Sequence, residues 1–176
     1  MFTPGFPATM VPARGEQGKV FDAPASTTLA YPLGTRMRDE QGREYIYCKA
    51  LASTAIAAAD ACGLVALGAT PITLTLSTAK GATGFAPVGI SMVAVASSAT
   101  AQYSWYCIYA PASALGSANC AATTDAFSQL YPHASAGVLD DATSNLCYVS
   151  GILRTTTATV AGINDAMIIN YPQCGL

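Results

Sequence analysis

The chain is 176 residues long, enough for one domain with its own core, yet only 10% of it is charged, against roughly a quarter in ordinary soluble proteins. A net charge of -2 leaves no basic field for a nucleic-acid footprint. Apolar runs are broken by Gly, Pro, Ser or Asp well short of the ~20 residues of a membrane span.

The chain opens Met-Phe-Thr-Pro-Gly-Phe-Pro, with neither the basic n-region nor the apolar h-region of a signal peptide, and is expected to be made and used without export. Residues 1–34 carry Pro4, Pro7, Pro12, Pro24 and Pro32. Proline fixes φ and removes ladder donors, so this segment favours extended conformations over a packed element. Phe2, Phe6, Val11, Phe21 and Leu29 are apolar anchors spaced along it. One reading is a solvated tail. The other is an arm that orders on a partner surface, which the spaced aromatics favour.

Residues 36–49 hold the densest run of charge and read as a β-hairpin. Asp39-Glu40-Gln41-Gly42 offers the turn, with Gly42 free to take a positive φ. In the following arm Glu44, Ile46 and Cys48 alternate with Tyr45, Tyr47 and Lys49, a pleated-surface pattern. Arg36, Arg38, Arg43 and Lys49 interleave with Asp39, Glu40 and Glu44, so the hairpin is self-neutralising rather than a phosphate site. Twelve of the eighteen charged residues fall at or before Asp60. A body so poor in charge is weakly protected against association, which points to burial in an assembly.

Residues 50–60 are alanine-rich and read either as a helix capped by Ser53 or Thr54, or as a loop. Strands follow at 62–67 and 72–76, the second alternating Ile72, Leu74, Leu76 with Thr73, Thr75, Ser77. Residues 81–87 read as a loop and 88–95 as a strand. The segment 101–109 returns from it with Tyr103, Trp105, Cys107 and Tyr109 on one face, the sole Trp marking the thickest part of the core. Short strands are expected near 119–123 and 127–131, an edge and turn at 136–141, and closing strands at 146–154 and 166–171. With no βαβ alternation, the pattern predicts an all-β fold, an antiparallel β-sandwich or barrel-like body over 35–176 preceded by the extended Pro-rich arm of 1–34.

Little in the chain points to catalysis. His133 is the sole imidazole and lies in a turn-like Tyr-Pro-His-Ala. Asp140 and Asp141 are adjacent, so on a strand they point to opposite faces, and they read as turn formers; Asp60 and Asp165 are given similar loop roles. No nucleophile elbow, phosphate loop or dinucleotide fingerprint is present, so an enzyme is not expected. Six cysteines lack the close Cys/His pairs of a zinc site. Cys48, Cys107 and Cys147 sit in strand-like runs and read as buried free thiols. No metal or cofactor is expected.

Several stretches together resemble the capsid decoration (cement, head-stabilising) proteins of tailed bacteriophages. They are Gly34-Thr-Arg-Met-Arg-Asp-Glu-Gln-Gly-Arg-Glu-Tyr-Ile-Tyr-Cys-Lys-Ala50, Pro87-Val-Gly-Ile-Ser-Met-Val-Ala-Val95 with Tyr103-Ser-Trp-Tyr-Cys-Ile-Tyr109, Leu130-Tyr-Pro-His-Ala-Ser-Ala-Gly-Val-Leu-Asp-Asp141 with Val149-Ser-Gly-Ile-Leu-Arg154, and Ile168-Ile-Asn-Tyr-Pro172. Their order and spacing span most of residues 33–172. Cys48, Cys107 and Cys147 depart from the Val-like strand residues expected there.

The resemblance implies a β-rich, non-enzymatic virion protein made in the host cytoplasm. It would bind the outer surface of the icosahedral shell as a homotrimer and stabilise that shell. The implied partners are the major capsid protein and further copies of itself, without nucleic acid or membrane. Phe2, Phe6, Phe21, Arg36, Arg38 and Arg43 are the candidate capsid-interface residues. The alternative is a carbohydrate- or receptor-binding β module on the virion surface, for which Tyr103, Trp105, Tyr106 and Tyr109 would supply the aromatics.

Overall fold

The turn at residues 39–42 forms because one carboxylate satisfies most of it. Asp39 Oδ1 accepts the Gln41 and Arg43 N–H groups at 3.0 and 2.9 Å, and its backbone carbonyl accepts the Gly42 N–H at 3.1 Å. Gly42 takes φ +85°, the left-handed conformation that glycine enters without a Cβ penalty. The flanking strands are β1 (Arg36–Arg38) and β2 (Glu44–Ala50), paired antiparallel with Arg36 opposite Ile46 and Arg38 opposite Glu44. The hairpin expected from the sequence is present.

The computed structural model describes residues 21, 23–50, 52–53, 55–65, 70–73, 86–121, 124–142, 148–156 and 164–175. Every named element among them is a β-strand. After the hairpin come β3 (Ala61–Val65), β4 (Thr70–Thr73), β5 (Ala86–Ser91), β6 (Gln102–Ala110), β7 (Gly116–Asn119), β8 (Tyr131–Pro132), β9 (Leu139–Asp140), β10 (Tyr148–Arg154) and β11 (Asn164–Gly175). Nine strands form one antiparallel sheet in the order β1-β2-β6-β11-β5-β3-β4. β7 and β10 also pair with β11, and β5 also pairs with β6. β8 and β9 form a separate two-stranded ladder.

The sheet is apolar on both faces because β2 and β6 are buried on both. On one face Tyr45 and Tyr47 pack with Val88, Ile90, Trp105, Cys107 and Ile169. On the other Ile46, Cys48 and Ala50 pack with Ile56, Cys62, Leu64, Tyr106 and Ile108. β4 returns alongside β2, so β2, β6, β5, β3 and β4 curl around this second cluster in a barrel-like layer. Each Ile or Leu fully removed from water there contributes about 1.5–3 kcal/mol.

Several expectations change in detail. Ala50 ends β2, and the rest of the expected 50–60 segment is loop where described: Ile56 and Val95 exchange backbone hydrogen bonds at 3.0 and 2.8 Å, and Ala59 sits at φ +65°. Tertiary pairing here overrides alanine's helix propensity. The strand expected over 88–95 ends at Ser91, whose hydroxyl turns back to donate to the Val93 carbonyl at 2.7 Å. The chain from Phe21 onward lies on the body instead of leaving it. Phe21 is buried, Ser26 and Tyr103 exchange backbone hydrogen bonds at 3.1 and 2.8 Å, and Tyr31 packs edge-on against Tyr47 at 5.3 Å. Residues 1–20 lie outside the described residues.

Cys48, Cys62, Cys107 and Cys120 are buried free thiols. Burial pushes Cys48, Cys107 and Cys120 each up to about 12. Cys147 lies outside the described residues. Asp60 does cap a loop, accepting the Ala57 N–H at 2.7 Å and the Asn119 Nδ2 at 3.0 Å, and burial raises its carboxyl. Asp165 does not lie in a loop. It stands in β11 opposite Ala118 and holds Nη2 of the fully buried Arg154 at 3.0 Å. Arg154 Nη1 donates to the Thr124 carbonyl, fastening the 124–127 loop to β10.

Candidate binding cleft at the hairpin edge

Of the six candidate interface residues, the structure brings two together. Arg36 and Arg38 lie on the same face of β1, with side chains 50% and 60% exposed, and share the carboxylate of Glu44. Arg38 Nη2 donates to Glu44 Oε2 at 3.1 Å, while Arg36 Nη1 stands 3.6 Å from Oε1. Two guanidiniums on one carboxylate leave this edge with an excess of one positive charge. Glu44's hydrogen bond and charge raise the Arg38 guanidinium further above its ordinary value.

The other four are placed differently. Phe21 is a core residue and not a surface anchor. Its ring stacks on Tyr45 with centroids 3.9 Å apart and meets Trp105 edge-on at 5.3 Å. Arg43 is committed to the turn, its Nε 2.7 Å from Asp39 Oδ2, which also accepts the Tyr45 hydroxyl at 2.9 Å. Burial pushes the Asp39 carboxyl up, but the hydrogen bonds from Arg43 and Tyr45 outweigh it and hold the group below its usual range. Arg43 borders a separate cavity of about 200 Å³ with Tyr45 and Cys107, on the face opposite Arg36 and Arg38. Phe2 and Phe6 lie outside the described residues.

Two irregularities in the ladders complete the edge. A register shift between Glu44 and Tyr45 pairs Glu44 with Tyr109, while Tyr45 pairs with Cys107. Tyr109 therefore leaves the row of Tyr103, Trp105 and Cys107 that strict alternation assigns it, and stacks on Tyr171 at 5.3 Å. In the β10–β11 ladder, Ser150 pairs with Gln173 and Ile152 with Ile169, so residues 170–172 oppose Gly151 alone. Gly151 has φ +76°, and a Cβ there would lie 2.5 Å from the Asn170 carbonyl oxygen. Tyr171 is held at φ +44° and donates its hydroxyl to Glu44 Oε2 at 3.0 Å. Its phenol is raised by burial and then by that bond to the carboxylate. A non-glycine residue at positive φ is strained, and such strain persists where the surroundings fix it.

Between the β1–β2 edge and this bulge lies a cavity of about 230 Å³. Ile46, Leu64, Val88 and Ile108 line it, and Arg36, Tyr171 and Gln173 border it. The result is an apolar recess beside exposed cations.

The residues considered for other chemistry are engaged elsewhere. His133 Nδ1 accepts the Ser135 N–H at 3.0 Å within the β8–β9 turn, and Asp141 Oδ2 accepts the Asp125 N–H at 2.7 Å. Among the described residues no group of three or more His, Cys, Asp and Glu could hold a metal ion. For sugar stacking, Trp105 and Tyr106 are only 3% and 0% exposed, so the central aromatics of the receptor-binding alternative are core residues. Sequence reasoning missed Glu44 and Tyr171 as site residues. The available signal was Glu44 between two arginines across the turn, together with the Asn-Tyr-Pro ending of the last long strand. Comparisons with protein-family models, curated proteins and solved structures found no match.

Proposed function

We propose that this protein is a structural virion component, a capsid decoration protein that binds the outer surface of the major capsid shell and stabilises it. The resemblance of residues 33–172 to phage decoration proteins supplies the class. The observation that supports the reading is the β1 edge, where Arg36 and Arg38 are exposed and Arg36 borders an apolar recess on an otherwise charge-poor body. A strand edge offers backbone hydrogen bonds, and exposed cations offer orientation and faster encounter. Association into trimers belongs to the same proposal, since several weak contacts spread over one shell gain from avidity.

The test is co-sedimentation of the purified protein with capsids assembled from the major capsid protein of the same genome. Saturation at a fixed ratio to capsid subunits, with decorated capsids resisting heat better than bare ones, is the expected result. Absence of co-sedimentation by the full-length protein refutes the reading.

A further inference from the structure

We propose that the exposed Phe127 of one copy of this chain seats in the apolar recess beside Arg36 of a second copy. This rests on the self-association in the reading above and names the contact it would use. Among the described residues Phe127 is the most exposed large apolar side chain, at 66%. It stands at φ +60°, a conformation that a bulky residue rarely adopts. The surrounding structure fixes it there. Its N–H donates to the Arg154 carbonyl at 3.0 Å, and the buried Arg154 guanidinium holds the Thr124 carbonyl at the other end of the loop. Ser128 Oγ donates to the Asp125 carbonyl at 2.8 Å, and the Asp125 N–H donates to Asp141 Oδ2 at 2.7 Å. A loop fixed before it meets a partner loses little conformational freedom on binding. An exposed ring on a strained and tied-down backbone is thus a preorganised knob.

The recess matches this knob in size and in charge. Ile46, Leu64, Val88 and Ile108 line it, and its volume of about 230 Å³ exceeds the ~150 Å³ of an apolar cavity that accepts benzene. Two residues before Phe127 stands the exposed Asp125, with Asp141 against it. No Lys or Arg occurs between Lys80 and Arg154, and Arg154 is already neutralised by Asp165. The Phe127 loop is therefore acidic, whereas the recess is bordered by Arg36, where two guanidiniums share the one carboxylate of Glu44. Opposite charge at the rims orients the two surfaces as they meet. The loop does not reach the recess of its own chain. It is tied to Arg154, which pairs with Met167, while the recess is bordered by residues 171–173, roughly 15 Å further along β11. The contact joins unlike surfaces, so a closed ring of copies fills every recess. Arg38 lies outside the recess and stays exposed for the shell.

The experiment follows self-association of the full chain by sedimentation velocity across a concentration series. The wild type is expected to associate. Phe127→Ala and, in a second protein, Arg36→Glu are each expected to weaken association at least about tenfold with an unchanged near-ultraviolet circular dichroism spectrum. Mixed together, the two variants are expected to pair and to stop at dimers, because each keeps the half of the contact that the other lacks. A wild type that stays monomeric, either variant associating as wild type, or a mixture that does not pair overturns the contact. Co-sedimentation with capsids of the same genome is read separately. If the contact fails and the wild type still saturates capsids, the decoration reading stands; if the wild type does not bind capsids either, both fall.

Discussion

Replacing Phe21 by Ala removes a ring that closes one end of the aromatic cluster. The ring lies 3.9 Å from Tyr45 in a stacked pair and 5.3 Å from Trp105 in an edge-on pair, and the side chain is 1% exposed. Phe→Ala in a core costs about 3–5 kcal/mol, from lost burial and from the cavity left behind. Two aromatic contacts of this kind add about 0.5–1.5 kcal/mol each beyond area, and partial collapse of the neighbours offsets some of this. We therefore expect Phe21→Ala to lower unfolding free energy by about 3 kcal/mol in urea. At about 2–4 °C per kcal/mol for a chain of this size, that lowers Tm by roughly 6–12 °C. Trp105 is the only tryptophan, so its emission should also shift to the red and become quenchable by acrylamide. A loss under about 1 kcal/mol with unchanged emission would refute the placement of Phe21 in the core. The outcome decides how the N-terminal segment must be tested. Deleting residues 1–34 removes Phe21 and Tyr31 together, so lost capsid binding after that cut would report lost stability. A cut after residue 20 keeps both rings.

Further outcomes follow from the buried polar groups. Asp165→Asn leaves Arg154 buried without its counter-charge and should cost about 3–5 kcal/mol, whereas Arg154→Met combined with Asp165→Asn should recover much of that loss; a double-mutant cycle in urea measures both. Asp39, held below its ordinary value in the folded state, stabilises the fold fully above its unfolded pKa of about 3.9, and this stabilisation fades as pH falls through the lower folded value. Asp39→Asn should cost about 1.5–3 kcal/mol at pH 7 and flatten the acid limb of the stability curve below about pH 4, as read by urea titrations across pH. Cys48 and Cys107, pushed up to about 12 by burial, hold roughly one thiolate in ten thousand at pH 8. Iodoacetamide at that pH should leave both unlabelled in the native protein and label both in urea, with mass spectrometry as the readout. Gly151→Ala forces a Cβ to within 2.5 Å of the Asn170 carbonyl oxygen at φ +76° and should cost more than about 1 kcal/mol.

Local chemistry made much of the body legible from sequence. The hairpin was readable because Asp39, Gly42 and a β-branched, aromatic arm agree on one structure. The all-β class was readable because turn residues recur between short apolar runs throughout the body. Residues 50–60 stayed open because alanine carries no tertiary information, and the bridge between Ile56 and Val95 that decides them joins residues far apart in sequence. Asp165 was misjudged for the same reason, through its link to Arg154. Their pairing exists only once β10 and β11 lie side by side, and a lone Asp among alanine and glycine looks like a turn residue until its partner is known.

The cleft was hidden for a more specific reason. Reading faces from a strand assumes a period of two, and the site sits where that period breaks on both of its walls. At Glu44 the register shift moves Tyr109 out of the Trp105 row. At Gly151 the bulge gives residues 170–172 room to turn Tyr171 toward Glu44. Restoring strict pairing at either place would return Tyr109 or Tyr171 to its alternating position and part Tyr171, which borders the recess, from the Tyr109 ring or the Glu44 carboxylate that holds it. Bulges re-aim single side chains in this way and concentrate at sheet edges, which is where Arg36 and Arg38 stand. The two features that pattern reading passes over are therefore the two that assemble the cleft, and Gly151 is the single position at which one substitution tests both the fold's irregularity and the cleft's shape.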